Sequence, residues 1–448
     1  MNASRTPTPS GSASLADWLD YQLRVHPRSI ELGLERVAEV WRRLGAPAAA
    51  PVIITIGGTN GKGSTVAFLE AMLAADGKRV GAFTSPHLLH YNERVRVAGG
   101  NAEDAALIDA FQRIESARAA DSIEPVALTY FEFGTLAALW IFSQAALDVA
   151  LLEVGLGGRL DAVNIVDADA AIVTTVDLDH QDWLGNDRET IGREKAGIFR
   201  RGRPAIVGES DPPCSLLAHA RDIGAELCLR GRDFQVEPAV EGRWRWRADD
   251  VSLVLPRPHL AAPCQFVNAS AAIAVLHALR DRLGWHPAAI GQGVANARVD
   301  ARLQRLADPD HRLAELIVDV AHNPQAARVL GDWLRLQPIR GRTLAVFGAL
   351  EDKDVQGVVN ALADPIDAWF LAGLDHDSPR GLDAAKLRDL VGTGLAAKRL
   401  QSTHADVPSA LAAAYDHAQV GDRIIAFGSF FVAAAALTFA KRRGLRDA

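Results

Sequence analysis

The chain has 448 residues, 49% of them hydrophobic and 23% charged, enough apolar material for two or three folded domains. A net charge of −7, from 48 basic and 55 acidic residues, argues against nucleic acid or an anionic membrane as the main partner. Three cysteines, Cys214, Cys228 and Cys264, are odd in number and lack metal-like spacing, which points to a reducing, cytoplasmic setting rather than a disulfide framework.

Residues 1–14 are polar and rich in Ser, Thr and Pro, without the apolar core of a signal peptide, and read as a disordered lead-in. Helical spacing of apolar residues over 15–44 is broken by His26-Pro27, so two helices and a turn are expected. The next stretch is the most informative. Ile53-Ile54-Thr55-Ile56 is a β-branched run, Gly57-Gly58-Thr59-Asn60-Gly61 is small and turn-forming, and after Lys62-Gly63-Ser64-Thr65 the pattern becomes helical. Strand, glycine loop and helix N-terminus together make an anion cradle of backbone N–H groups. Lys62 adds a full charge for β- and γ-phosphates, and Ser64 or Thr65 adds a hydroxyl for Mg²⁺. The usual phosphate loop has Ser or Thr directly after the lysine; here Gly63 stands there.

A strand at 79–83 ends in Thr84-Ser85-Pro86-His87, either a simple Ser-Pro turn or hydroxyls at the strand end where open parallel sheets bind ligands. Asn92 to Val97 reads as the start of an extended segment. Thr129-Tyr130-Phe131-Glu132 opens an apolar helix running to about 146. The buried-strand run 148–154 carries its charge, Glu153, near the end, the place of an Mg²⁺-holding carboxylate beside a phosphate loop. The alternative is a buried carboxylate paired with a cation such as Arg159. Gly155-Leu156-Gly157-Gly158-Arg159-Leu160-Asp161 fails the dinucleotide pattern because Leu160 replaces its third glycine. After a strand at 170–176, His180 stands among Asp177, Asp179 and Asp182, as a metal ligand or as a surface histidine. Lys195 lies on a helix before a strand at 204–207 and by itself reads as solvated.

Alternation over 225–255, with Trp244 and Trp246, suggests a small antiparallel β insertion, followed by a helix at 268–283. A boundary falls near 297–307. Beyond it, strand candidates at 315–319, 343–347, 368–371 and 423–427 alternate with helices, the pattern of a second α/β domain with a mostly parallel sheet. The terminal apolar helix, 430–440, is far short of the ~20 residues of a membrane span.

Taken together, these motifs resemble the dihydrofolate synthase/folylpolyglutamate synthase branch of the Mur ligase superfamily. Gly58-Thr59-Asn60-Gly61-Lys62-Gly63-Ser64 is similar to its variant phosphate loop, and residues 30–37, 84–87, 129–135, 153–161, 178–185, 193–198, 319–324 and 347–354 follow in the family's order. The resemblance implies an α/β protein: an N-terminal phosphate-loop ATPase domain (15–300) with a mostly parallel sheet and small β insertion, plus a smaller Rossmann-like C-terminal domain (301–448). It implies ATP-dependent ligation of L-glutamate to dihydropteroate and reduced folates through an acyl phosphate, by a monomer using ATP and two Mg²⁺ ions, with a K⁺ requirement left open.

Residue by residue, the resemblance implies Thr59, Asn60, Gly61, Lys62, Gly63 and Ser64 at the phosphates. Ser64, Ser85 and Glu153 fall at the first Mg²⁺, and His180 at the second. Lys195 matches a lysine that the family carries as a carbamate serving the second Mg²⁺. Asn268, Arg302 and Asp319 match nucleotide contacts. Thr129, Tyr130, Phe131, Glu132, Leu160, Asp161 and Ala162 match the pterin site, with His322 and Ser429 placed near glutamate or nucleotide. Two departures concern local packing: Ala301-Arg302-Leu303-Gln304 where the family often has Gly-Arg-Phe-Gln, and Val320 where it has Gly. A cell-wall ligase of the same superfamily is disfavoured by Gly63 and 129–132, and a GTPase switch by the lack of an evident guanine-reading motif.

Overall fold

A computed structural model describes residues 7–9, 12–26, 28, 30–120, 125–249, 251–310 and 313–448. Most of the expected lead-in (1–6, 10 and 11) lies outside the described residues. Its described part ends in Ser14, which caps the helix Leu15–Val25, and Thr8 Oγ1 lies 3.4 Å from Glu115. The chain divides into two compact units, 1–258 with 266–297, and 259–265 with 298–448.

The N-terminal unit is built on eight strands: β1 (Val52–Gly57), β2 (Val80–Phe83), β3 (Val95–Val97), β4 (Gly100–Asn101), β5 (Val149–Glu153), β6 (Ala170–Val173), β7 (Pro204–Val207) and β8 (Glu226–Leu229). Their order is β4-β3-β2-β5-β1-β6-β7-β8. Six strands from β2 to β8 run parallel, and β3 and β4 turn back antiparallel at one edge. β1 is central and buried throughout, which explains its unbroken β-branched run: a parallel strand covered on both faces has no polar side to present. Register sets the site, because Ile56 pairs with Glu153 and the strand-end carboxylate therefore lies beside the start of the glycine loop.

The helix Lys62–Ala75 follows that loop and is buried over most of its length. It packs on the helix Pro287–Asn296, where a Cβ on Gly293 would collide with the backbone of Met72, so only glycine permits that approach. Three antiparallel strands, β9 (Phe234–Pro238), β10 (Trp244–Ala248) and β11 (Val251–Leu255), form the insertion. Trp246 is fully buried in it and donates from Nε1 to the Ser270 carbonyl at 3.2 Å, fastening the insertion to the helix Cys264–Ala278.

Three expectations are corrected. The segment 226–229 extends the main parallel sheet as β8 and is not part of the insertion; its pairing with β7 is non-local and leaves no mark on its own alternation. Tyr91–Arg94 is a 3₁₀ turn, and extension starts only at Val95, because Glu93 folds back to accept from the N–H groups of Leu88, Leu89 and His90. The strand expected at 170–176 ends at Val173, and Thr174 and Thr175 bond to the glycine loop instead.

The C-terminal unit holds β12 (Gln304–Ala307), β13 (Glu315–Val318), β14 (Thr343–Phe347), β15 (Ala368–Ala372), β16 (Leu400–His404), β17 (Arg423–Phe427) and β18 (Arg446–Asp447), ordered β16-β15-β14-β17-β13-β12-β18. The five strands from β16 to β13 are parallel; β12 and β18 are antiparallel additions. Phe347, Trp369 and Phe427 meet in its core, with the rings of Phe347 and Phe427 5.1 Å apart. Among the described residues no helix is long and apolar enough to cross a membrane.

Candidate active site

Gly58 and Gly61 carry the turn from β1 into the helix Lys62–Ala75, at φ +139° and +91°. A side chain at either would also strike a neighbour: Thr174 Oγ1 at Gly58, and Asn268 Oδ1, 2.5 Å from a Cβ on Gly61. The loop is laced to the end of β6. Thr59 N–H donates to Thr175 O at 2.8 Å, Asn60 N–H to Thr175 Oγ1 at 3.1 Å, and Thr174 Oγ1 donates to Asn60 O at 2.6 Å. Thr59 Oγ1 donates to Asp177 O and accepts from Asp177 N–H. Lys62 Nζ lies over the loop, donating to the carbonyls of Gly58 at 2.9 Å and Thr59 at 3.3 Å.

Glu153 faces this helix start. A Cβ on Gly63 would sit 3.7 and 3.8 Å from its two carboxylate oxygens, and Ser85 N–H donates to Oε2 at 3.2 Å. Arg159, the alternative partner, pairs with Glu194 at 2.9 Å. Ser64 is buried in the first turn. The structure thus brings Lys62, Gly63, Ser64, Ser85, Glu153 and Asn268 to one end of one sheet.

A second group lies behind it. Lys195 is 3% exposed in the last turn of the helix Arg188–Ala196. Burial pushes its amine down to about 7; the Lys62 charge acts in the same direction, while Asp179, Asp161 and Glu209 oppose it. The sequence reading of a solvated Lys195 is therefore corrected: the loop 155–161 covers it, with Arg159 N–H donating to Glu194 O at 2.9 Å. Asp161 is buried too and is raised to about 7 by burial, against N–H donation from Leu156 at 2.8 Å and Val163 at 3.1 Å. His180 begins a short helical turn at φ +51°, its N–H donating to Asp179 Oδ1 at 2.9 Å and its Nε2 4.0 Å from Asp179 Oδ2. Asp179 is the common neighbour of His180 and Lys195.

The expected pterin stretch is mixed. Thr129 and Glu132 are buried and bonded to each other as a capping box. Glu132 Oε1 also accepts from Arg36 at 2.9 Å. Tyr130 and Phe131 are only half-buried; Phe131 packs so closely on Gly155 that a Cβ there would overlap its ring. Leu160 O accepts from Gly33 N–H at 3.3 Å, tying the 30–37 stretch to this rim, and Ala162 is buried below it.

In the C-terminal unit Asp319 is buried and raised by that burial, with Arg302 opposing, and it accepts from Leu303 N–H at 2.9 Å and Ala321 N–H at 2.7 Å. Arg302 lies over the Phe430 ring at 5.9 Å, and the His322 ring is 6.4 Å from the same ring. Ala301 and Leu303, on either side of Arg302, are left-handed at φ +55° and +50°. Ser429 caps the terminal helix Phe430–Arg442.

Sequence reasoning missed Thr174, Thr175 and Glu209, and it read Asp177 as a neighbour of His180 without its bonds to Thr59. Glu209 follows β7, accepts from Val176 N–H at 3.1 Å, and is pushed up to about 7 by burial against the Arg188 charge. Two hydroxyls directly after an apolar strand run, Ile172-Val173-Thr174-Thr175, were the available signal.

Among the described residues no three His, Cys, Asp or Glu side chains form a group able to hold a metal ion unaided. The donors nonetheless suit Mg²⁺, which is commonly held by one or two carboxylates together with phosphate oxygens and water. A buried carboxylate aimed at a phosphate cradle would repel a triphosphate unless a cation lay between them, and Glu153 is so aimed.

Comparison with known proteins gives a consistent result. Residues 301–430 match the Mur ligase, glutamate ligase domain. The chain is 44% identical over 428 residues to the dihydrofolate synthase/folylpolyglutamate synthase of Escherichia coli (strain K12), covering 95% of this chain and 96% of that protein. It is 37% identical over 438 residues to the same-named protein of Haemophilus influenzae, covering 94% and 97%. Among solved structures, E. coli FolC in complex with DHPP and ADP superposes with a TM-score of 0.88 at 43% identity, over 98% of this chain and 100% of that one. A bifunctional folylpolyglutamate synthase/dihydrofolate synthase with Mn, AMPPNP and L-glutamate bound gives 0.86 at 44% identity, over 96% and 99%.

Proposed function

The chain belongs to the dihydrofolate synthase/folylpolyglutamate synthase family, and we propose how its residues divide that family's reaction. It is an ATP-dependent carboxylate–amine ligase that joins L-glutamate to dihydropteroate, giving dihydrofolate, and to reduced folates, giving folylpolyglutamates. A carboxylate is a poor electrophile. Its oxygen takes the γ-phosphoryl group of ATP with release of ADP. The glutamate α-amine then attacks the acyl carbon, and phosphate leaves with the oxygen that bridged them.

The observation that carries the assignment is Glu153 facing the N-terminus of the helix Lys62–Ala75 beside Lys62. In our reading residues 59–64 cradle the phosphates, Lys62 offsets the charge that builds on the transferred group, and Asn268 flanks the loop. Mg²⁺, when bound, neutralises phosphate oxygens; Ser64, Ser85 and Glu153 would hold one ion and His180 with Lys195 the other. Lys195 fits that place as a carbamate, since burial lowers its amine to about 7 and so leaves roughly half of it neutral and open to carbon dioxide at pH 7. Tyr130, Phe131, Leu160, Asp161 and Ala162 would receive the pterin, with Thr129 and Glu132 fixing the helix start beneath it. In the C-terminal unit Arg302 and Asp319 are proposed nucleotide contacts and His322 a glutamate contact. We further propose that the protein is monomeric and that it is cytoplasmic, the second supported by the three free cysteines.

The test is ADP release by the purified enzyme with dihydropteroate or tetrahydrofolate, each with and without L-glutamate. Release with both acceptors, dependent on glutamate, is expected. Release indifferent to acceptor and glutamate would contradict the assignment.

A further inference from the structure

We propose that Arg94 anchors the α-carboxylate of the folate substrate's terminal glutamate, the group that distinguishes a folate from a pteroate. The proposal rests on the ligase reading above.

Two arginines follow the Ser85 turn, and the fold treats them differently. Arg96 is paired with Glu70, its Nε and Nη2 donating to the carboxylate at 3.1 and 2.8 Å. Arg94 has no such partner: among the described residues no carboxylate lies within ion-pair distance of it. The nearest acid in sequence, Glu93, is turned away and occupied by the N–H groups of Leu88, Leu89 and His90. Arg94 is half-buried, with its guanidinium carbon 5.4 Å from the Tyr91 ring centre and 5.5 Å from that of Tyr130. Its Nε donates to His87 Nδ1 at 2.8 Å. Because guanidinium can only donate, that histidine nitrogen must accept, and the cluster keeps its single positive charge on Arg94. Its two terminal nitrogens, the fork that matches a carboxylate, donate to no protein acceptor among the described residues.

A half-buried cation that is stacked on two rings, aimed by a histidine and left without an anion is built to receive one. Its place identifies which. Tyr130 opens the helix Tyr130–Gln144, and the next residue, Phe131, packs on Gly155, two residues past Glu153. At the other end of the same loop Ser85 N–H reaches Glu153 Oε2 at 3.2 Å. The unpaired cation therefore lies on the loop that also borders the carboxylate-activating centre. Dihydropteroate has one carboxylate, the one that becomes the acyl phosphate. The glutamate of tetrahydrofolate has two: the γ-carboxylate reacts and the α-carboxylate needs a counter-ion beside it. Only the second substrate uses Arg94 in full.

The test uses the full-length Arg94→Gln and Arg94→Lys variants, with kcat and KM measured for dihydropteroate and tetrahydrofolate at saturating ATP and L-glutamate, and a thermal melt of each. In Arg94→Gln, KM for tetrahydrofolate should rise at least tenfold more than KM for dihydropteroate. Arg94→Lys keeps the charge without the fork and should fall between that variant and wild type. Equal changes in both KM values would overturn the proposal, since a loop prop or a contact to the reacting carboxylate affects both substrates. No change in either would overturn it as well. If Arg94→Gln melts early, the Lys variant carries the comparison. Wild-type turnover of both substrates in the same assay separates failure of this assignment from failure of the ligase reading.

Discussion

The ammonium of Lys62 lies 2.9 Å from the carbonyl oxygen of Gly58, folded back across its own loop. The Gly58 and Thr59 carbonyls help hold the cation over the loop, where an arriving phosphate would meet it. Lys62→Ala should lower product formation by roughly 10²–10³-fold, the usual cost of removing one preorganised electrostatic contact. Its melting temperature should move by only a few degrees, because the side chain is partly exposed. Undiminished ADP release by a folded Lys62→Ala enzyme would remove the phosphate-loop assignment.

Gly58 is a structural requirement of the same loop. Its φ of +139° excludes side chains, and a Cβ would collide with Thr174 Oγ1. Gly58→Ala should cost roughly 2–5 kcal/mol from backbone strain and overpacking together. Urea melts of Gly58→Ala in wild-type and Thr174→Ala backgrounds separate the two contributions. The cost should be smaller in the second background but not vanish, because the backbone strain and the Thr174 amide at 3.0 Å remain.

Ala301 offers the opposite case. It is held left-handed at φ +55°, beside Arg302, where glycine would sit without strain. Relief of roughly 1–2 kcal/mol of strain should offset the roughly 0.4–1 kcal/mol entropic cost of glycine and the roughly 0.8 kcal/mol lost with the buried Ala301 methyl. Ala301→Gly should therefore be close to neutral by denaturant melt, and a loss of more than about 2 kcal/mol would contradict the left-handed conformation.

Lys195 carries a pH signature. Its folded pKa, about 7, lies below the ordinary 10.5. Between these values the unfolded chain holds a proton that the folded one has released, so stability rises with pH across that window. Wild type should gain more stability from pH 7.5 to 9.5 than Lys195→Ala does. With ¹³C-bicarbonate and Mg²⁺ present, a carbamate carbon signal should appear in wild type and be missing from Lys195→Ala, and acetate should restore part of the variant's activity. A plain ammonium in a fully active, Mg²⁺-loaded enzyme would return Lys195 to a simple electrostatic role.

What could be read from the sequence was local. The β-branched run, four glycines and a lysine specify strand, loop and helix within fifteen residues, and apolar strand runs marked β5, β7, β14 and β17. Glu153 was legible because charge at the end of a buried strand is rare. What could not be read was pairing between distant segments. Nothing in 226–229 says it will join β7, and nothing near Lys195 says that the 155–161 loop will bury it. The lacing of Thr174 and Thr175 to the phosphate loop depends on β6 neighbouring β1, a fact of topology. Arg94 and Arg96 are equivalent in sequence and become different only when Glu70 is placed beside one of them.

In this reaction the acceptor carboxylate is phosphorylated before glutamate attacks. Dihydropteroate labelled with ¹⁸O in both carboxylate oxygens, incubated with enzyme, ATP, Mg²⁺ and L-glutamate, tests it directly by mass analysis of the released phosphate. One ¹⁸O per phosphate, with dihydrofolate formed in equal amount, is the predicted result. Phosphate free of label alongside dihydrofolate would rule out an acyl phosphate.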